Sequence, residues 1–224
     1  MRLRAEYEVG PNHRFLANLE MMHVMERALR RAGIPYHLSE GFNPHIRISM
    51  GTVLPVGIWG KKEYFDLEMD PMDGAEFLRR MNQVLPPGIA ITACRSLGMG
   101  ARALMKSINA AEYAFQVNQR PAEVEAAVQE IISQEEILVP SRGKKKNVNK
   151  NLRPGLFALN VVPQGDIAVI KALVSVNEPL NIRFDELLDL LAKFGISRES
   201  IVEFWREGNY IKQGEQLLSP LVTP

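Results

Sequence analysis

The chain has 224 residues, of which 46% are hydrophobic and 24% charged, and its net charge at pH 7 is +1. This is the composition of a globular protein with one large or two smaller domains, and it excludes a disordered or fibrous chain. No apolar run approaches the roughly 20 residues that span a bilayer, and the N-terminus lacks the apolar core of a signal peptide. We therefore expect a cytoplasmic protein that does not interact with membranes.

Periodicity and turn residues predict a βαββαβ order in the first half of the chain. Alternation in 2–9 places Leu3, Ala5, Tyr7 and Val9 on one face of a strand. The following helix ends at Gly33. The six elements are expected at 2–9, 14–32, 46–50, 63–69, 71–85 and 89–94.

The same order recurs in the second half. Strands and helices are expected at 112–117, from 121 onward, and at 137–139, 156–162, 167–176, 181–194 and 201–205. We therefore predict an α+β protein of two ferredoxin-like units, 1–108 and 109–224, each an antiparallel sheet with helices on one face. A basic loop at 141–153 enlarges the second unit.

Glu26 stands out on the first predicted helix. On a helical wheel Glu26 projects near the middle of the apolar half, which is expected to face the core. That half consists of Phe15, Leu19, Met21, Met22, Met25, Ala28, Leu29 and Ala32. Because an unpaired buried carboxylate is costly, we expect Glu26 to be buried and paired with a cation, either Arg30 or Arg47. A structural ion pair and a role in a binding site both fit this position.

A long polar loop at 36–48 separates the first helix from the next strand. Gly41 and Asn43-Pro44 predict sharp turns, and the loop carries hydrogen-bonding groups of several kinds beside an exposed aromatic. The loop and the helix before it supply these candidate binding residues: Glu26, Arg30, Ser39, Glu40, Phe42, Asn43, His45 and Arg47. The alternative is an ordered connector whose polar groups satisfy one another.

Charge is distributed unevenly along the chain. The segment 137–165 has no acidic residue and six basic ones: Arg142, Lys144, Lys145, Lys146, Lys150 and Arg153. Such a run can contact nucleic-acid phosphates, although a solvated loop is an equally good interpretation. These six are the candidate RNA-binding residues.

Cysteine and histidine content limits the chemistry of the chain. The single cysteine, Cys94, excludes an intramolecular disulfide, a four-cysteine zinc site and a three-cysteine iron–sulfur site. The four histidines have no recognised metal-ligand spacing, and no phosphate-loop or hydrolase motif is present. We expect no metal, no cofactor and no catalytic residue.

Several motifs together resemble one bacterial family. They are RFL at 14–16, ERALRRAGIP at 26–35, SEGFNPHIRIS at 39–49, LPVG at 54–57, EYFD at 63–66 and AAEY at 110–113. The chain is similar to the radical SAM-linked proteins, the domain of unknown function DUF2344. The resemblance implies a companion of a radical S-adenosylmethionine (SAM) protein on a separate chain, and it carries no established activity.

The leading hypothesis is a non-catalytic RNA-binding module that accompanies a radical SAM enzyme in RNA modification or ribosome-related processing. One alternative is an enzyme acting on a small anionic substrate at the SEGFNPH loop, and another is a protein-interaction scaffold. The layout of two ferredoxin-like units is also similar to that of pseudouridine synthases. No matching catalytic Asp motif is present, so this likeness implies no activity.

Overall fold

A computed structural model describes residues 1–98, 100–143 and 148–222. The protein is a mixed α+β protein whose strands pair mainly antiparallel. It divides into two compact units, one formed by residues 1–108 with 208–224 and the other by 109–207. The expected second unit extended to residue 224, whereas the structure groups the last residues with the first unit.

The first unit has the element order βαββαβ. Its elements are β1 (Arg2–Val9), α1 (Asn18–Arg31), β2 (Ile48–Met50), β3 (Trp59–Glu68), α2 (Gly74–Val84) and β4 (Ile89–Leu97), followed by the short helix α3 (Leu104–Ser107). The strand order is β4-β1-β3, and β2 also pairs with β3. These three pairings are antiparallel.

The second unit repeats this order with an insertion. Its elements are β5 (Ala110–Val117), α4 (Pro121–Ser133), β6 (Leu138–Pro140), β7 (Asn149–Asn151), β8 (Leu156–Gln164), β9 (Ile167–Ser175), α5 (Phe184–Lys193) and β10 (Ile201–Gln213). The strand order is β10-β5-β9-β8, and β6 pairs with β7 in a separate two-stranded sheet. Residues 208–213 of β10 belong to the first unit, as does β11 (Gln216–Leu218).

The two longer helices of the first unit, α1 and α2, pack on one face of its sheet. The alternating residues Leu3, Ala5, Tyr7 and Val9 of β1 are buried, and they share one core with residues of α1, α2 and β3. A strand that is apolar on one side and polar on the other requires such a one-sided cover. The predicted alternation of β1 therefore identifies the helix-covered face correctly.

The core of the second unit includes an aromatic cluster. Phe184, at the start of α5, stacks on Phe115 of β5 with ring centroids 5.6 Å apart, and it also contacts Tyr113 and Phe204. Val124, Val128 and Ile131 of α4 form a buried stripe along the helix. No helix within the described residues is long and apolar enough to cross a membrane.

The opposite face of the first sheet is charged and yet buried. Arg4 of β1 and Asp66 of β3 are cross-strand neighbours, and they form a bidentate ion pair with N···O distances of 2.7 and 2.9 Å. The Arg4 side chain is completely buried and Asp66 is 5% exposed. Beside them, Glu6 accepts hydrogen bonds from Tyr64 and Thr92. Burial and the Glu6 hydrogen bond raise the pKa of Tyr64.

Two chain segments cover this ion pair and satisfy its remaining donors. Arg4 donates to the carbonyls of Arg102 (3.1 Å) and Pro220 (2.9 Å). Gly51 makes room for the cover, because a Cβ at this position would lie 2.9 Å from the Tyr64 carbonyl and 3.4 Å from Leu104 of α3. The segment before α3 and the C-terminal segment thus take the place that water would occupy on an open sheet face.

The Arg4–Asp66 pair gives the first testable prediction. Asp66→Asn leaves the Arg4 guanidinium buried without a carboxylate, so the free energy of unfolding of the first unit should fall by about 3–5 kcal/mol. Urea unfolding followed by the fluorescence of Trp59 in a Trp205→Phe background measures this change. As a control, Glu76→Gln removes the exposed ion pairs of Glu76 with Arg79 and Arg80 and should leave the midpoint nearly unchanged. An equally small effect of both substitutions would contradict the prediction.

Candidate binding site

The SEGFNPH segment (residues 39–45) forms an exposed loop, which we call the motif loop. The residues on either side of it, including His37 and Arg47, form the base of the loop. The base follows α1, which ends at Arg31, and Gly33 comes two residues later with a positive φ of +62°. His37 donates its backbone N–H to Glu68 at the end of β3 (2.8 Å), and Glu68 donates to the carbonyl of Arg47 (3.0 Å). Both sides of the base are therefore attached to β3.

Ser39 and His45 close the motif loop. The Ser39 N–H donates to the His45 carbonyl at 2.8 Å, and the His45 N–H donates to Ser39 Oγ at 3.1 Å. Ser39 Oγ also lies 2.9 Å from His45 Nδ1. These contacts restrict the tip of the loop although its residues are largely exposed.

Phe42 lies at the tip and is fully exposed to solvent. Gly41 precedes it with φ at +120°, a conformation that strains any residue with a Cβ. Glu40, Asn43 and His45 are exposed as well. An aromatic side chain exposed to water gains no free energy from burial, so packing in the core does not explain the position of Phe42.

Arg47 connects the loop base to the charged sheet face. Its guanidinium donates to Glu68 at 2.8 Å, and this hydrogen bond, the Glu68 charge and the nearby Glu40 raise the pKa of Arg47. Arg47 also lines a shallow cavity of about 230 Å³ with Arg2, Ser49 and Asp66. The cavity contains charges of both signs and is therefore not selective for an anion by charge alone.

The expectation for Glu26 is wrong. Glu26 is half-buried, and within the described residues neither Arg30 nor Arg47 forms an ion pair with it. The wheel counted Phe15 and Leu19 as core residues, but they are 67% and 64% exposed. The buried face of α1 centres on Met25 and Ala28, so Glu26 lies about 100° around the helix from Met25.

The described cations of the basic loop have partners within the second unit. Arg142 forms a bidentate pair with Asp189 of α5, and Lys150 forms an ion pair with Glu186 at 2.6 Å. Arg153 donates to the carbonyls of Gln134 and Leu156. Lys144, Lys145 and Lys146 lie outside the described residues. The contacts of Arg142, Lys150 and Arg153 attach the described parts of the loop to the rest of the second unit.

Glu186 is the residue whose importance the sequence interpretation missed. Its side chain is 1% exposed, and it accepts hydrogen bonds from Lys150 and from the backbone N–H groups of Arg142 and Arg183. A glutamate at the third position of a helix is a capping signal, which was available in the sequence. Its contacts with the basic loop join residues 36 to 44 positions apart and have no local signal.

Candidate catalytic groups among the described residues are Cys94 and the Ser39–His45 pair. Among them, no group of three or more His, Cys, Asp or Glu side chains could hold a metal ion. Cys94 is half-buried, and burial followed by the charge of Asp73 raises the pKa of its thiol, which disfavours the reactive thiolate. The Ser39–His45 pair is exposed to water, whereas nucleophilic sites use enclosed and preorganised donors.

Sequence comparison decides the family. The family model described as "Uncharacterized protein conserved in bacteria (DUF2344)" matches residues 2–183. The chain belongs to this family. Membership agrees with the domain predicted from the motifs, while the link to a radical SAM protein is a proposal taken up below. No curated protein matches the sequence.

Solved structures provide a comparison of fold. The chain is similar to one in "Crystal Structure of a Cbf5-Nop10-Gar1 Complex", with a TM-score of 0.52 and 12% identity over 94% of this chain and 50% of that one. A chain in "Structure of H/ACA RNP bound to a substrate RNA containing 2'-deoxyuridine" gives a TM-score of 0.48 at 10% identity, over 91% and 46%. The DUF2344 chain thus spans about half the length of each of these two chains. At these identities the first similarity shows the fold alone.

Proposed function

We propose that this protein is a cytoplasmic, non-catalytic module that binds single-stranded RNA through its motif loop and accompanies a radical SAM enzyme. The observation that carries the proposal is the fully exposed Phe42 on a loop closed by Ser39 and His45. Exposed aromatic side chains are the usual means by which proteins stack on unpaired bases. The eight candidate residues of the loop and of α1 are proposed to contribute to this binding surface.

Two ferredoxin-like units form part of the proposal. The element order βαββαβ occurs in both units, and the strand orders β4-β1-β3, with β2 also on β3, and β10-β5-β9-β8 follow the same pattern. Such a sheet with helices on one face is a common scaffold for nucleic-acid recognition by loops and strands. The similarity to a chain of the Cbf5–Nop10–Gar1 complex supports this fold and no activity.

An enzyme acting on a small anion is less well supported by the geometry. Small-molecule sites are concave and bury most of the ligand, whereas Glu40, Phe42, Asn43 and His45 are exposed. Arg47 alone among the loop candidates is shared with the cavity of about 230 Å³ described above, and that cavity also holds Asp66 and Glu68. These acids oppose an anionic substrate.

Replacing Phe42 tests the proposed stacking. Phe42→Ala should weaken binding of a labelled 12-nucleotide single-stranded RNA by roughly 5- to 150-fold, because stacking on an aromatic side chain contributes about 1–3 kcal/mol per base. Fluorescence anisotropy at two salt concentrations measures the affinity. Phe42→Trp should retain binding, and Ser39→Ala should weaken it moderately because the loop closure is lost.

Phe15→Ala is the matched control, since Phe15 is an exposed phenylalanine of the same unit. It should leave the RNA affinity unchanged. Equal effects of Phe15→Ala and Phe42→Ala, or no effect of Phe42→Ala, would show that the motif loop is not the stacking element.

Lys144, Lys145 and Lys146 are proposed to contact RNA phosphates together with the remaining basic-loop candidates, Arg142, Lys150 and Arg153. Replacing the three lysines by alanine should reduce the slope of log affinity against log salt concentration by roughly 2, since each phosphate contact on a single strand contributes about 0.7. The measurement is a salt titration of RNA binding. A slope equal to that of the wild type would remove these lysines from the interface.

The radical SAM partner is proposed on the family resemblance. Affinity capture from the native bacterium under anaerobic conditions, with the full chain as bait, should recover a protein that has a three-cysteine cluster motif and iron–sulfur absorbance. Phe42→Ala should not abolish this capture if the motif loop serves RNA. Recovery of RNA without any iron–sulfur protein would contradict the partnership and leave RNA binding standing.

A further inference from the structure

A groove of about 280 Å³ lies in the first unit beside α1. Val24, Arg27 and Arg31 of α1 line it together with Val84, the last residue of α2, and Pro86, which follows α2. We call it the α1 groove. It combines apolar side chains with two guanidinium groups, and guanidinium groups can donate hydrogen bonds to phosphate oxygens.

The arginines of α1 are available to a ligand. Arg27 and Arg30 are exposed, and neither forms an ion pair within the described residues. Arg31 donates to the Val84 carbonyl at 2.9 Å, so it is anchored at the groove while its other N–H donors stay available. From residue 21 to 31, α1 carries three arginines and one acid, the half-buried Glu26.

The local charge stays positive when the helix ends are included. α1 and α2 both end near the groove, and each C-terminus contributes a partial charge of about −0.5. Three arginines outweigh these partial charges and Glu26. Arg27 and Arg31 are one turn apart, about 6 Å along the helix axis, so they lie on the same side of α1.

Arginine and the placement of α1 favour RNA as the ligand. A planar guanidinium binds phosphate oxygens through two parallel hydrogen bonds. α1 ends five residues before Tyr36, at the base of the loop that carries Phe42, within the same unit. The described cations of the basic loop, by contrast, already have protein partners.

We propose that the α1 groove and the exposed Arg30 beside it on α1 bind the phosphate backbone of the same single-stranded RNA whose base stacks on Phe42. Arg27, which lines the groove, and Arg30, one turn further along α1, are the main contacts, and Arg31 is an anchored third. This inference rests on the proposed function. It adds a backbone contact on α1 to the phosphate contacts proposed for the basic loop.

The test compares two double substitutions of equal charge. Arg27→Gln with Arg30→Gln should reduce the slope of log affinity against log salt by about 1.4, because two single-strand phosphate contacts are lost. Arg31 is left intact because it also holds the end of α2. The control, Arg79→Gln with Arg80→Gln, removes two arginines of α2 that are already paired with Glu76 and should leave the slope unchanged.

The outcomes separate the groove from the proposed function. If wild-type protein binds the labelled RNA and Phe42→Ala weakens binding, but Arg27→Gln with Arg30→Gln leaves the slope unchanged, the groove inference is overturned and RNA binding stands. Absence of RNA binding by the wild type at low salt overturns both. A poly-glutamate peptide provides a second arm, because peptide binding that needs Arg27 and Arg30, without any change in RNA affinity, would assign the groove to an acidic protein instead.

Discussion

The buried ion pair of Arg4 and Asp66 determines the form of the first unit. It places one positive and one negative charge on a sheet face that would otherwise be open. Both charges are buried, where the dielectric constant is low, so each needs several hydrogen-bond partners. Asp66 satisfies two donors of Arg4, and backbone carbonyls must satisfy others. The segment before α3 and the segment after β11 supply these carbonyls. A helix with an apolar face could not cover this surface, because it would offer no acceptor.

The same arrangement explains why the motif loop can be both exposed and ordered. β3 carries Asp66 toward the covered face, and two residues later Glu68 forms backbone and side-chain bonds with the loop base. Hydrogen bonds between Ser39 and His45 close the loop and leave its tip exposed to solvent. These hydrogen bonds limit the conformations open to the loop, which lowers the conformational entropy that it would lose on binding a ligand.

Local patterns predicted the parts of the fold that depend on neighbouring residues. The alternation of Leu3, Ala5, Tyr7 and Val9 identified the core face of β1, because side-chain direction in a strand has a fixed period. The motif loop was identified from its polar residues and turns. Sequence could not show that Arg142 pairs with Asp189, 47 positions away. All six basic residues of the loop were therefore interpreted as candidate RNA contacts. The expectation that Glu26 is buried in an ion pair was wrong for a related reason, because the helical wheel could not show that Phe15 and Leu19 are exposed.

The contact between Arg4 and Pro220 joins residues 216 positions apart in the sequence. During synthesis the chain leaves the ribosome from its N-terminus, so β1 and β3 are complete long before the Pro220 carbonyl has been made. Until then the Arg4 guanidinium lacks one of its acceptors and half of its cover, and the first unit is left with a solvent-accessible charged face. The first unit therefore reaches its final form only after the second has been translated. The unit whose synthesis begins first is the one whose residues are completed last.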